Sequence, residues 1–180
     1  MKEGEKYTLD QWSSWPEGER WELIGGVAYN MSPSPQIPHQ RMSFHLAFEM
    51  RKFMDGKPCE VFIAPMDVFL PDGLEDSTAT VVMPDVFVVC DPKKIEDDGI
   101  HGAPDFIAEV LSVSTASKDI TEKKALYERA GVREYWILNP KNGTVYAYIL
   151  LKGKYAPVRE IRKGEGLEST IFPGFFWKAE

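Results

Sequence analysis

Met83-Pro84-Asp85-Val86-Phe87-Val88-Val89-Cys90 and, after a charged loop, Asp105-Phe106-Ile107-Ala108-Glu109-Val110-Leu111 are the two runs on which the reading of the chain turns. Their Val, Ile and Phe content is that of core strands. Each run also carries a carboxylate, Asp85 or Glu109, where a core strand normally carries an apolar side chain. A buried carboxylate without a partner is costly, so it pairs with a cation, a metal or hydrogen-bond donors. Two of them on neighbouring strands converge and repel unless a cation lies between them. Asp85 and Glu109 therefore read as halves of a divalent-metal site. The alternative is that both lie at strand ends, reach solvent and do nothing.

Working outward towards the N-terminus, Cys59 to Leu70 reads as one strand interrupted at Pro65, which implies an edge or a bulge. Pro71-Asp72-Gly73 is a turn, and Leu74 to Thr80 an acidic polar loop. Upstream, His39 to Met54 reads as a helix whose apolar face holds Met42, Leu46, Met50 and Phe53, widened by Phe44 and Phe48. His39 stands at its start, where a lone histidine is more often solvated or capping than a ligand. Ser32 to Pro38, with its prolines, is a stiff extended loop. Arg20 to Ile24 and Val27 to Met31 flank Gly25-Gly26 as a tight hairpin. Glu22 shares parity with both Arg20 and Ile24, so it is either a solvated strand residue or a site carboxylate. Thr8 caps a short helix from Leu9 to Ser14.

Working outward towards the C-terminus, Asp91 to Ala103 is a charged loop with a turn at Asp98-Gly99. Ser112 to Ser117 is rich in hydroxyls and either caps the next helix or offers donors to a phosphate. Asp119 to Ala130 is that helix, with Gly131 in the C-cap place. The three- and four-residue spacing puts Lys123 on the same inward face as Leu126, Tyr127 and Ala130. Such a lysine either snorkels to water or faces the carboxylates across the sheet. Arg133 to Asn139 is a strand, Pro140 to Gly143 a hairpin turn, and the rest is β-rich, with aromatics that pack on the sheet or on a second subunit.

Composition sets the frame. The length of 180 residues suits one domain spanning 1–180, and 43% hydrophobic content suits a globular chain. No apolar run is long enough to span a bilayer, and no signal peptide is evident. Cys59 and Cys90 sit at apolar strand positions and read as reduced, buried thiols of a cytoplasmic protein, with a single disulfide left open. The net charge of -7 argues against an indiscriminate nucleic-acid binder, but not against a nuclease with an acidic metal site. There is no phosphate-cradling Gly-Lys-Ser/Thr loop, Cys-x-x-Cys pair, His-Glu-x-x-His or Gly-x-Ser-x-Gly elbow.

The order helix, strand, strand with Pro-Asp, strand with Glu, helix, strand is similar to the core of PD-(D/E)XK nucleases. More closely, the chain resembles the bacterial restriction-endonuclease-like family named Uma-two. The matching words are Trp21-Glu22-Leu23-Ile24-Gly25-Gly26, Met31-Ser32-Pro33, Pro38-His39-Gln40-Arg41, Met83-Pro84-Asp85-Val86 and Glu109-Val110-Leu111-Ser112 with Ser114-Thr115. Lys118-Asp119, Lys123, Tyr127 and Ala130-Gly131-Val132-Arg133-Glu134-Tyr135-Trp136 complete the set.

The resemblance implies an α/β restriction-endonuclease-like core, a mixed central sheet flanked by helices, with extra β-hairpins at both ends. It implies Asp85 and Glu109 as ligands of Mg²⁺ or Mn²⁺, with the main-chain carbonyl of Val110 as a further donor. The superfamily's lysine two residues after the second acid is replaced here by Leu111. The Uma-two pattern instead places a lysine on the following helix, at Lys123. Glu22 matches the family's acidic position in the first hairpin. The implied function is metal-dependent hydrolysis of DNA phosphodiester bonds, with a homodimer plausible for cutting both strands. The rival is a catalytically inactive, dimeric binding protein built on the nuclease core.

Overall fold

The computed structural model describes residues 1–16, 20–31, 35–71, 80–112 and 119–178. The chain runs α1 (Leu9–Ser13), β1 (Trp21–Ile24), β2 (Val27–Asn30), α2 (Ile37–Met54), β3 (Glu60–Ile63), β4 (Val68–Phe69), β5 (Val81–Val82) and β6 (Val86–Val89). It continues with β7 (Ile95–Glu96), β8 (Gly99–His101), β9 (Phe106–Val110), a π-helical turn (Asp119–Lys123) and α3 (Lys124–Ala130). The remainder is β10 (Glu134–Asn139), β11 (Thr144–Leu151), β12 (Lys154–Tyr155), β13 (Arg159–Ile161), β14 (Gly166–Glu168) and β15 (Phe176–Lys178).

The central sheet has the order β12-β11-β10-β9-β6-β3, with β13 also on β11. Only the β9–β10 pair within it is parallel among the described pairings, and the crossover between them carries α3. Successive residues on these strands face opposite sides, so the alternation sorts the core into two layers. Val86, Val88, Phe106, Ala108, Trp136 and Leu138 pack under α2 through Met42, Leu46, Met50 and Met54. The C-terminal Phe172, Phe175 and Trp177 close the same side, so these aromatics do pack on the sheet. Phe87, Val89, Ile107, Tyr135 and Ile137 face the other way, against Leu126 and Tyr127 of α3 and against the second sheet. That second sheet has the order β2-β1-β5-β4-β8-β7.

Local signals explain several ends. Gly25 and Gly26 both take positive φ, 57° and 77°, as a two-residue turn of the β1–β2 hairpin requires. Thr8 and Gln11 form a capping box on α1. Gly131 ends α3 at φ 90°, with its N–H on the carbonyls of Tyr127 and Glu128.

Other expectations are corrected. Helix α2 begins at Ile37, not His39, because Pro38 fits the first helical turn, where no N–H is needed. Phe44 and Phe48 do not widen its buried face: they are 70% and 51% exposed and stack on each other. The Cys59–Leu70 run is two strands in two different sheets, since the chain leaves the central sheet after Ile63 and pairs again at Val68. The loop 91–103 contains the β7–β8 hairpin. Cys59 and Cys90 are joined as a disulfide rather than left as thiols. The β3–β6 register that pairs Glu60 with Val89 brings them opposite each other one step on. No described helix is long and apolar enough to cross a membrane. The 32–34 loop, most of the 72–80 loop and the hydroxyl-rich segment with Lys118 lie outside the described residues.

Candidate active site

Antiparallel pairing of β6 with β9 sets Val86 opposite Ala108, and one further step sets Asp85 opposite Glu109. The two acids are thus cross-strand neighbours at the end of the ladder, where such partners lie about 5 Å apart at Cβ. Glu109 shares the parity of Ile107 and points to the α3 side, into a layer of apolar side chains. It is buried there and does not stand alone.

Lys123 reaches it from the π-helical turn ahead of α3. Its Nζ lies 2.8 Å from Glu109 Oε1 and 2.7 Å from Glu22 Oε1. Tyr127, one turn further along α3, donates its hydroxyl to the same Glu109 oxygen at 2.7 Å. Glu22 comes from β1, whose four residues are all buried because both its faces are covered. Trp21 and Leu23 pack outward against Ala28, Tyr7, Trp12 and Trp15, while Ile24, with the parity of Glu22, joins the layer around α3. Glu22 Oε1 also accepts the main-chain N–H of Met83, just before Asp85. Across the hairpin from Glu22 stands Tyr29. Burial and a hydrogen bond to Glu122, beside Lys123, push its hydroxyl up to about 12.

Lys123 therefore does not snorkel, and only 3% of its side chain is exposed. Glu22 is not solvated either. In its described contacts the cluster sets two carboxylates against one ammonium in a desolvated pocket. Removing one member of such a buried set strands the others and costs roughly 3–5 kcal/mol.

Asp85 stands at the rim of this cluster, with 19% of its side chain exposed. Its Oδ2 accepts the main-chain N–H of Val110 at 2.8 Å and lies 3.2 Å from His39 Nε2. The Val110 side chain turns to the α2 layer, so its main chain is what borders the site. The side chains that converge here offer oxygen ligands from two carboxylates on adjacent strands. That is what a hard divalent cation takes. Both described contacts of Asp85 fall on Oδ2, and its Oδ1 takes no hydrogen bond from the described residues. The residues present fit such an ion.

Two residues in contact with the acids carry no role in the sequence reading. Tyr127 lies on the expected inward face, and its position four residues after Lys123 is the signal that points to it. His39, expected to be solvated or capping, instead lies beside Asp85; its signal is the short word it shares with Pro38 and Arg41. A separate group of ligating atoms, from Glu96, Asp98 and His101, lies within 4.8 Å on the β7–β8 hairpin. It is exposed, and His101 Nε2 is already 2.9 Å from Asp98. Nearby, burial and the Asp98 charge raise the Asp67 carboxyl above the usual carboxylate range.

The sequence profile of a family described as "Uma2: Putative restriction endonuclease" matches residues 8–180. The chain belongs to the Uma2 family. No curated protein matches it. Among solved structures, this Uma2 chain is similar to one from Anabaena variabilis ATCC 29413, described as "a putative nuclease belonging to DUF820". The two share 19% identity at a TM-score of 0.74, over 93% of this chain and 91% of that one. That likeness confirms the mixed α/β, nuclease-like fold.

Proposed function

We propose that this Uma2 protein is a divalent-metal-dependent endonuclease that hydrolyses phosphodiester bonds in DNA. The observation that carries the reading is the buried Glu22–Lys123–Glu109 set lying one strand from the solvent-reachable Asp85. Asp85, Glu109 and the Val110 carbonyl would hold Mg²⁺ or Mn²⁺. When bound, the cation supplies Lewis acidity at a phosphoryl oxygen and a more acidic water.

The chain's own residues do the rest. Lys123 places a desolvated positive charge beside the carboxylates, where it stabilises negative charge growing on the phosphate oxygens. Glu22 and Tyr127 hold that ammonium and the Glu109 carboxylate in register, so little reorganisation is needed during reaction. A homodimer presenting two such sites would cut both strands.

The test is cleavage of plasmid and of single-stranded DNA and RNA with Mg²⁺, Mn²⁺ or chelator. Cleavage needs the metal, and Asp85→Ala and Glu109→Ala each abolish it while circular dichroism stays native. Undiminished cleavage by both variants refutes the assignment. The exposed Phe44–Phe48 pair on α2 favours a second reading, a binding module on a nuclease core. That reading gains if the chain binds no metal yet forms a dimer that Phe44→Ser and Phe48→Ser dissociate in sedimentation.

A further inference from the structure

We propose that His39 is a positioning residue for Asp85, holding the carboxylate so that one oxygen is turned to the metal; this rests on the reading of Asp85 as a metal ligand. Two groups meet Asp85 at the same oxygen, Oδ2: the Val110 N–H donates to it at 2.8 Å, and His39 Nε2 stands 3.2 Å from it. One belongs to the sheet itself. The other comes from the first turn of α2, the helix that packs beneath the opposite layer of the sheet. With the amide alone, the carboxylate is free to swing about a single bond. A second donor from a different element fixes its plane and leaves Oδ1 as the presented atom.

The imidazole is itself held from behind. Ser43, one helical turn on, has its Oγ 3.4 Å from His39 Nδ1 and 3.0 Å from the His39 carbonyl. The Ser43 hydroxyl proton goes to that carbonyl, and its oxygen remains beside Nδ1, on the side of the ring away from Asp85. The ring is also mostly covered, with 12% of the side chain exposed, unlike a solvated surface histidine. A hydrogen-bonded ring oriented by a further residue, gripping the non-coordinating oxygen of a metal-binding carboxylate, is how an outer shell tunes a metal site.

The experiment is calorimetric titration of the full chain with Mn²⁺ alone, for wild type, Asp85→Ala, His39→Ala and His39→Gln, with thermal melts in chelator alongside. Glutamine is chosen because its side-chain N–H reaches about where Nε2 stands. His39→Ala weakens Mn²⁺ binding about 10- to 100-fold, the usual loss for an outer-shell partner. His39→Gln stays within a few-fold of wild type. A histidine needed only for folding instead lowers the melt in both variants and leaves the affinity of the folded protein unchanged. Wild-type affinity in His39→Ala, or equal weakening in His39→Gln and His39→Ala, overturns the proposal while the metal site stands. If His39→Ala does not fold, His39→Gln decides alone: near-wild-type affinity supports the role, and lost affinity removes it. Absence of Mn²⁺ binding by the wild type overturns the proposed function, and this inference falls with it.

Discussion

Glu109 and Glu134 are buried carboxylates on neighbouring, parallel strands of one sheet, and they face opposite sides of it. Glu134 lies in the α2 layer with neutral donors only. Trp136 Nε1 donates to one oxygen at 2.7 Å, and Ser169 Oγ with the main-chain N–H groups of Thr170 and Ile171 donates to the other at 2.8–3.0 Å. Its charge is spread over four fixed dipoles. Glu109 has a cation and a phenol on one oxygen, and shares that cation with a second carboxylate. The first arrangement is closed and clasps the C-terminal segment to the sheet. In its described contacts the second sets two carboxylates against one ammonium, an arrangement that suits a further cation. Burial of a carboxylate therefore says little about its role; the charge balance of its partners separates a clasp from a site.

The sharpest way to break this contrast is Lys123→Met. It removes the ammonium and leaves two buried carboxylates facing each other, so it lowers stability by roughly 3–5 kcal/mol in urea melts. Adding Glu22→Gln and Glu109→Gln recovers most of that loss. No recovery means that the lysine is held by packing rather than by charge.

Glu134→Ala comes next and acts on the opposite side. It strips four donors of their acceptor, at about 1–3 kcal/mol for each donor that water cannot reach. Hydrogen exchange is expected to speed up across 166–178 while Mn²⁺ affinity stays at the wild-type value. A fall in metal affinity erases the distinction between the two centres. Tyr127→Phe is milder, because Lys123 remains on Glu109. It removes one hydrogen bond to a charged group, roughly 1.5–3 kcal/mol by denaturant titration, and retains the ion set.

The smallest effect is at the surface. The Tyr155 N–H first, and then Lys154, hold the Glu128 carboxyl below the usual range. A carboxylate with a lowered folded-state value stabilises above its unfolded value and loses that contribution as pH falls through the folded one. The stability gap between wild type and Glu128→Gln therefore closes as pH is lowered from about 6 to about 3. A gap constant across that range shows that the pair contributes through packing instead.

Much of this arrangement was legible in the residues. The acids at 85 and 109 declared themselves by interrupting apolar runs, and the spacing of Lys123 with Leu126 and Tyr127 fixed its face. What stayed hidden depended on neighbours from distant segments. Glu22 stayed open between solvent and site because parity along β1 cannot reveal that both faces of the strand are covered. Phe44 and Phe48 looked like core because helical periodicity counts apolar side chains and not what lies opposite them. His39 gave no periodic signal at all, since its position matters only once the first turn of α2 is set against Asp85. Pro65 was read rightly as a disruption, but a proline does not say which sheet the chain joins next.

The crossover between β9 and β10 has a temporal consequence. Lys123 and Tyr127 lie close in sequence to Glu109, separated from it by 14 and 18 positions, so that half of the cluster closes when one βαβ unit folds. Glu22 is bonded to Met83 across 61 positions, and its hairpin has left the ribosome long before Lys123 exists. Distant closures form slowly, because loop entropy is lost before any contact rewards it. A nascent chain that ends before the π-helical turn at Asp119–Lys123 thus holds Glu22, Asp85 and Glu109 but no ammonium to gather them. Chains that end there are expected to leave Glu22 and Glu109 without the charge that draws them together.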